Sequence, residues 1–207
     1  MDSVFGFVGK DYAIVAADAS QIRSVICFKR DESKMWDVES NKVLAASGPQ
    51  ADRVAFCEFI QKNLKLDGLR TGLKQSVHAT ANYVSGELAT ALRKGPFQVN
   101  CLLGGYDGAV IDGEEGMKTA GTSEEGPSLY WMDYMGTLQK TMFGAHGYCG
   151  VFVYSLFDAH WNPGMSREEG IELARRCIDE VNLRLVIAQP KFIVKLITKE
   201  GISEISV

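Results

Sequence analysis

The residue best placed for chemistry is Asp18, a carboxylate at the end of an apolar run. The run Tyr12–Asp18 has the pattern of a buried strand. A carboxylate at such a position can take part in proton transfer, or it can form a buried pair with a lysine such as Lys34. Ser3 is the hydroxyl that precedes the first apolar strand, and no threonine occurs before Thr71.

Histidine, cysteine and glycine residues give no second candidate site. His146, His160 and Cys149 lack the compact spacing of metal ligands, so we expect no metal and no cofactor. Gly104-Gly105 is followed by no helix start, which argues against a phosphate loop. The five cysteines are widely spaced and form no CxxC pair, which favours free thiols in a reducing compartment.

The composition of the chain is typical of a single globular domain. A chain of 207 residues with 46% hydrophobic and 23% charged residues fits one globular domain, residues 1–207. The net charge is −4 and no basic stripe is present, so we expect no nucleic-acid partner. We also expect no membrane association, because no apolar run is long enough to cross a bilayer and the N-terminus lacks a signal peptide.

The first half of the chain predicts strands followed by two helices. The predicted strands are Val4–Val8, Tyr12–Asp18, Ser24–Phe28, Met35–Val38 and Val43–Ser47. Gly48-Pro49 then starts a helix whose core-facing stripe is predicted as Ala51, Val54, Ala55, Phe59, Ile60 and Leu64. A second stripe comprises Val77, Ala81, Val84, Leu88 and Leu92, and Gly95-Pro96 ends that helix.

The second half repeats this order. Strands are predicted at Val99–Tyr106, Leu129–Tyr134 and Leu138–Phe143, with a long acidic hairpin loop over residues 107–127. One helix opens after Gly147, and Ser166–Glu169 is a capping box for the next. That last helix has a predicted stripe of Ile171, Ala174, Ile178, Val181 and Leu185, and the hairpin Phe192–Thr198 and Ile202–Ile205 closes the chain.

Runs of strands that alternate with pairs of helices predict an α+β fold and exclude a βαβ sheet. Each helix pair needs an apolar sheet face to cover. The simplest arrangement is two antiparallel sheets face to face, with a helix pair on each outer side. The predicted fold is therefore a four-layer αββα sandwich, which is the layout of the N-terminal nucleophile hydrolases.

Six segments, taken in order, resemble the beta subunits of the eukaryotic 20S proteasome over nearly the whole chain. They are Tyr12–Asp18, Lys34-Met35, Ala46–Asp52, Asn100–Asp107, Leu129–Tyr134 and Ala145–Tyr148. Active members of this family use an N-terminal threonine whose own amine can act as the base, with a lysine, an aspartate and an oxyanion-binding amide nearby. The acidic loop is longer than this family leads us to expect.

The resemblance assigns positions to this catalytic group one residue at a time. Asp18 falls at the family aspartate, Lys34 near the lysine and Gly48 at the oxyanion glycine. The nucleophile position falls at Asp2 or, with a shift of one residue, at Ser3, and neither is threonine. We therefore expect Asp18, Lys34 and Gly48 to be vestigial and the chain to have no catalytic residues.

Two further positions depart from the active members in the same way. His146–Cys149 replaces a Gly-Ser-Gly-Ser turn, and Pro163–Met165 stands where the resemblance places an aspartate before the last long helix. Loss of several members of a catalytic group removes nearly all of its activity, because such residues act as a unit.

Three functions remain open from the sequence. The first, which the resemblance favours, is a non-catalytic subunit that contacts other beta subunits of the same and opposite rings and alpha-ring subunits, in cytoplasm and nucleus. The second is a hydrolase that uses Ser3 after removal of Met1 and Asp2. The third is a free-standing binding protein, suggested by the aromatic-rich stretch from Tyr130 to Trp161, whose rings are more typical of a core or a subunit interface.

Overall fold

The computed structural model describes residues 2–24, 26–108, 118–120, 125–187 and 189–207. In chain order the elements are β1 (Ser3–Val8), β2 (Ala13–Asp18), β3 (Gln21–Arg23), β4 (Ile26–Lys29), β5 (Met35–Glu39), β6 (Lys42–Ser47), α1 (Gln50–Thr71), β7 (Leu73–Gln75), α2 (Val77–Ala91), β8 (Asn100–Asp107), β9 (Lys118–Ala120), β10 (Gly126–Met132), β11 (Leu138–Thr141), β12 (Phe143–Gly147), α3 (Gly150–His160), α4 (Arg167–Arg184), β13 (Phe192–Thr198) and β14 (Gly201–Ile205). Within the described ranges no helix is long and apolar enough to span a membrane.

Two five-stranded antiparallel sheets form the centre of the fold. Sheet I has the order β12-β1-β2-β13-β14, and sheet II has the order β11-β10-β8-β6-β5. Helices α3 and α4 pack on the outer face of sheet I, and α1 and α2 pack on that of sheet II. The predicted αββα sandwich is therefore confirmed.

Apart from Ser3 and Asp18 at their ends, the first two strands carry no polar side chain, because both of their faces are buried. Val4 and Val8 of β1 face sheet II, whereas Phe5 and Phe7 point the other way into the core under α3 and α4. Successive side chains of a strand alternate between its faces, so a strand covered on both sides has apolar residues at every position. This burial explains why β1 and β2 were so clear in the sequence.

The glycine pair of β8 lets the layers of the fold approach closely. A Cβ atom on Gly104 would lie 2.6 Å from Val15 Cγ2 in the facing sheet, and one on Gly105 would lie 2.6 Å from Val77 Cγ2 of α2. Both glycines lie in the middle of a strand, in accord with the argument against a phosphate loop. Close packing of helix, sheet and sheet accounts for both residues.

Three strand predictions were wrong in their boundaries. The expected strand Leu129–Tyr134 runs instead from Gly126 to Met132 as β10. The expected strand Ser24–Phe28 is instead part of the β3–β4 hairpin, because Ser24 takes a left-handed φ of 58° and interrupts the extended backbone. The expected strand Leu138–Phe143 is two strands, since β11 pairs with β10 in sheet II and β12 pairs with β1 in sheet I. The short parallel pair β7 and β9 was not predicted.

The predicted core-facing stripe of α1 was also largely wrong. Ile60 and Leu64 are buried as expected, but Ala51, Val54, Ala55 and Phe59 are exposed. The buried face instead contains Arg53, Phe56 and Cys57. This face packs on sheet II through Phe56, Cys57, Ile60 and Leu64, and the Arg53 side chain on the same face pairs with Asp2 and Glu32.

The last helices follow their predictions more closely. Ser166 and Glu169 form the complete capping box of α4. Ala174 and Val181 are buried, whereas Ile171, Ile178 and Leu185 are only partly buried at the edge of the core.

In α2, Leu92, which was predicted to end the core-facing stripe, is exposed at the C-cap of that helix.

The acidic hairpin loop falls mostly outside the described residues. What the structure does describe is its base, where Asp107 at the end of β8 lies opposite Gly126 at the start of β10. The two flanking strands thus form the expected antiparallel hairpin. Of the loop itself, residues 118–120 form β9 beside β7.

Candidate functional site

The three positions singled out as vestigial meet at one end of the sandwich. Asp18 is the last residue of β2, Lys34 directly precedes β5, and Gly48 follows the end of β6. Strands β1 and β2 pair with Val4 opposite Ala17, so the start of β1 lies beside Asp18. The site therefore draws on both sheets and on the chain just before β1.

The Lys34 ammonium group is the centre of the cluster. Its Nζ atom donates hydrogen bonds to Asp18 Oδ1 and Oδ2, each at 2.8 Å, and to the Ser20 carbonyl oxygen at 2.8 Å. It also donates to Asp2 Oδ1 at 2.6 Å. The side chain is 0% exposed, so every one of these partners replaces water.

Asp18 accepts further hydrogen bonds from the backbone. The Ser3 amide donates to Asp18 Oδ1 at 2.8 Å and the Ser20 amide to Asp18 Oδ2 at 3.1 Å. Burial raises the pKa of the Asp18 carboxyl group, while the Lys34 charge and these hydrogen bonds act in the opposite direction. The carboxylate thereby ties the start of β1 to the lysine.

Asp2 connects the lysine with the amide of Gly48. Its Oδ2 accepts from the Gly48 N–H at 2.9 Å, and its Oδ1 also accepts from Arg53 Nη1 at 3.2 Å. Burial alone would raise the pKa of Asp2, but the charges of Lys34 and Arg53 outweigh it and hold that pKa below its ordinary value. Arg53 pairs in turn with Glu32 at 2.8 Å.

Gly48 is required by the backbone at this point. Its backbone φ is 138°, a value that residues other than glycine rarely adopt. A Cβ atom at this position would collide with the Gln98 carbonyl oxygen. In this conformation the Gly48 N–H points at the Asp2 carboxylate. An amide aimed in this way is the type of group that stabilises an oxyanion.

Comparison with known proteins identifies the relatives of this fold and site. The sequence model of the family described as proteasome subunit matches residues 2–111 and 116–197. The chain belongs to the proteasome beta subunit family. It is 47% identical over 204 residues to the proteasome subunit beta type-2 of Oryza sativa subsp. japonica, with 99% of this chain and 89% of that protein covered.

Other relatives extend the similarity to distant organisms. The chain is 46% identical over 204 residues to the proteasome subunit beta type-2-B of Arabidopsis thaliana, covering 99% of this chain and 95% of that protein. It is 32% identical over 206 residues to the proteasome subunit beta type-4 of Saccharomyces cerevisiae, covering 99% and 97%. These matches confirm the family resemblance across almost the entire sequence.

Ser3 is poorly placed to serve as a nucleophile in this beta subunit. The residue is 0% exposed within β1, and its main-chain amide is bonded to Asp18. Its hydroxyl is buried from solvent as well. Cleavage before Ser3 would also remove Asp2, which bonds to Lys34, Gly48 and Arg53.

The segment His146–Cys149 lies beside the start of β1, but its buried side chains pack and hydrogen-bond within the core. Cys149 Sγ donates to the carbonyl oxygens of Val4 and His146 at 3.6 and 3.3 Å, and burial raises the pKa of its thiol to about 12. His146 stacks on Trp131 at 4.7 Å and bonds to the Cys101 carbonyl oxygen at 2.9 Å. Burial lowers the pKa of His146 to about 4.

The structure does not bring Pro163–Met165 to the cluster. The Met165 carbonyl oxygen bonds to Lys10, in the β1–β2 turn, at the opposite end of β1 from Asp2. The chain after α4 lies by the cluster instead, since Phe192 is opposite Asp18 and the Lys191 carbonyl oxygen accepts from Ala19. The expectation that a supporting position precedes α4 was therefore wrong.

Asp2, Arg53 and Glu32 are members of the cluster whose roles sequence reasoning missed. Asp2 was considered only as an occupant of the nucleophile position. Arg53 gave a usable signal, because it stands one turn before the apolar pair Phe56 and Cys57 on the helix face that proves to be buried. A charged residue on such a face is buried only when it is paired.

Proposed function

We propose that the chain is a non-catalytic subunit of the 20S proteasome core particle, which builds the beta ring and supports ATP- and ubiquitin-dependent degradation by its catalytic neighbours. The observation that carries this proposal is the position of Asp2. Its carboxylate holds both the Lys34 ammonium and the Gly48 amide, the two groups that a nucleophile and an oxyanion would need. The names of the beta type-2 relatives agree with a place in the proteasome.

The proposed partners are other beta subunits, in the same and the opposite ring, and alpha-ring subunits, in cytoplasm and nucleus. Neighbouring exposed apolar side chains support a role in assembly, since contiguous apolar surface patches mark interaction sites. Ile26 and Phe28 of β4 are 57% and 64% exposed. Tyr148 and Val151, near the start of α3, are exposed as well.

Native mass spectrometry of the assembled particle, with the N-terminus of this chain identified, tests the proposal. We expect the chain in the particle with Asp2 still present. A broad electrophilic probe for N-terminal nucleophiles should label the catalytic subunits of the same particle, which serve as the internal control, and leave this chain unlabelled. A chain that begins at Ser3 and takes up the probe would overturn the proposal.

A further inference from the structure

Three N–H donors converge on the carboxylate of Asp2. Lys34 Nζ lies 2.6 Å and Arg53 Nη1 3.2 Å from Oδ1, while the Gly48 amide nitrogen lies 2.9 Å from Oδ2. Both oxygens are thus bound from different directions. Charge-assisted hydrogen bonds of this kind are about twice as strong as neutral ones.

The donors are fixed in place without help from Asp2. Lys34 is also held by Asp18 and the Ser20 carbonyl oxygen, and Arg53 is also held by Glu32. The Gly48 amide is set by the backbone that follows β6. Removal of the Asp2 carboxylate therefore leaves the three donors close to their present positions.

The site is open to solvent on one side. Asp2, Gly48 and Arg53 line a cavity of about 740 Å³, together with residues of the β3–β4 hairpin and the start of α1. The Asp2 side chain is 17% exposed, whereas Lys34 and Arg53 are 0% and 2% exposed. A small molecule can therefore reach the position of the Asp2 carboxylate through this cavity.

We propose that Lys34, Arg53 and the Gly48 amide form a carboxylate-binding site whose built-in ligand is Asp2, and that the site takes a small monocarboxylate from solution when the Asp2 side chain is shortened. Asp18 and Glu32 already balance the two cations, so binding depends on directed donors and not on surplus positive charge. A carboxylate has two oxygens on one planar group, and their arrangement matches the positions of the three donors. A halide ion is a single atom and does not match them. The proposal does not depend on the assembly state of the chain.

The test compares the full-length chain with Asp2→Ala and the matched variant Asp2→Asn, which keeps the space filled by a neutral amide. Thermal unfolding is measured in sodium formate and in sodium chloride at equal concentration. For Asp2→Ala, formate at ten times its dissociation constant should raise the unfolding midpoint by about 3–5 °C relative to chloride. The original chain and Asp2→Asn should show no difference between the salts.

A second variant and a second measurement keep the result decisive. Asp2→Ala combined with Lys34→Met should lose the formate response, because one of the charged donors is gone. If Asp2→Ala refolds poorly, the yield of folded chain in each salt replaces the midpoint, and a higher yield in formate supports the site. Equal midpoints or equal yields of Asp2→Ala in formate and chloride would overturn the proposal.

Discussion

The ammonium group of Lys34 is the centre that holds the cluster of Asp2, Asp18 and Gly48 together. It has no access to water and lies among the carboxylates of Asp2 and Asp18 and the carbonyl oxygen of Ser20. A buried ion pair contributes little beyond an apolar replacement, but removal of one partner leaves a charge that is both buried and unpaired. The cluster is therefore sensitive to single substitutions even without catalytic work.

Lys34→Ala should destabilise the chain by about 3–5 kcal/mol, because Asp2 and Asp18 lose their shared cation. Each peptidase activity, measured per assembled particle, should stay unchanged. Denaturant unfolding of the chain and fluorogenic peptide assays of the particle check the two parts. Lys62→Ala is the control, since the exposed Lys62 pairs with the exposed Glu58 and its loss should cost less than about 1 kcal/mol. Loss of one peptidase activity with normal assembly would imply a shared active site.

His146 should make the stability of the chain depend on pH. Its pKa is lowered to about 4 in the folded chain by burial, against an ordinary value of 6.5. Between these values the unfolded chain binds a proton that the folded chain does not, so stability falls as the pH falls from about 6.5 to about 4. The loss attributable to His146 is ~3 kcal/mol across this window.

His146→Gln should remove this part of the pH dependence, since glutamine does not titrate. The free energy of unfolding is measured at pH 7 and pH 4.5 for the original chain and for the variant. The quantity compared between the two proteins is the difference between the two pH values. His160→Gln is the control, because His160 is exposed at the end of α3. An unchanged dependence of stability on pH in His146→Gln would show that folding does not lower the pKa of His146.

At the scale of elements, the sequence predicted best where one physical rule decides the structure. The strands β1 and β2 are buried on both faces and, like β13, were found within one residue. The turn at Ser24 gave no glycine or proline signal, and the break between β11 and β12 falls inside a run without turn residues. The buried face of α1 includes Arg53, whose ion pair with Asp2 joins residues 51 positions apart, a contact that local periodicity cannot show.

The capping box of α4 is an element-scale feature that can be tested alone. The Ser166 hydroxyl accepts from the Glu169 amide at 3.3 Å, and the Glu169 carboxylate accepts from the Ser166 amide at 2.8 Å. Ser166→Ala should lower the free energy of unfolding by about 1 kcal/mol. Ser155→Ala, at an exposed position inside α3, should change it by less than about 0.5 kcal/mol. Equal effects of the two substitutions would contradict a role for the cap.

At the scale of the whole molecule, the site depends on the contact between the two sheets. Asp18 belongs to sheet I, whereas Lys34 and Gly48 flank strands of sheet II. The layer order followed from the pattern of strands and helices, and the family resemblance pointed to three members of the cluster. The partners Asp2 and Arg53 emerge only once the sheets are packed, because their contacts join distant parts of the chain.

The packing of the two sheets predicts opposite effects of alanine at two glycines. A Cβ atom at Gly104 would lie 2.6 Å from Val15 Cγ2 and 3.1 Å from Ile197 Cδ1, so Gly104→Ala forces these side chains or the sheets to move. We expect it to cost about 1–3 kcal/mol. Gly86 is exposed inside α2, and a Cβ atom there would meet no described atom within 4 Å, so Gly86→Ala should stabilise the chain by about 0.5–1 kcal/mol.

Denaturant unfolding of both variants measures these changes, and hydrogen exchange of the Ser3 amide reports whether the effect reaches the site. That amide donates to Asp18 across the start of sheet I. If the sheets position the cluster, Gly104→Ala should speed exchange at Ser3 by more than its loss of global stability explains, whereas Gly86→Ala should not. Exchange that follows global stability in both variants would mean that the cluster holds its geometry independently of the contact between the sheets.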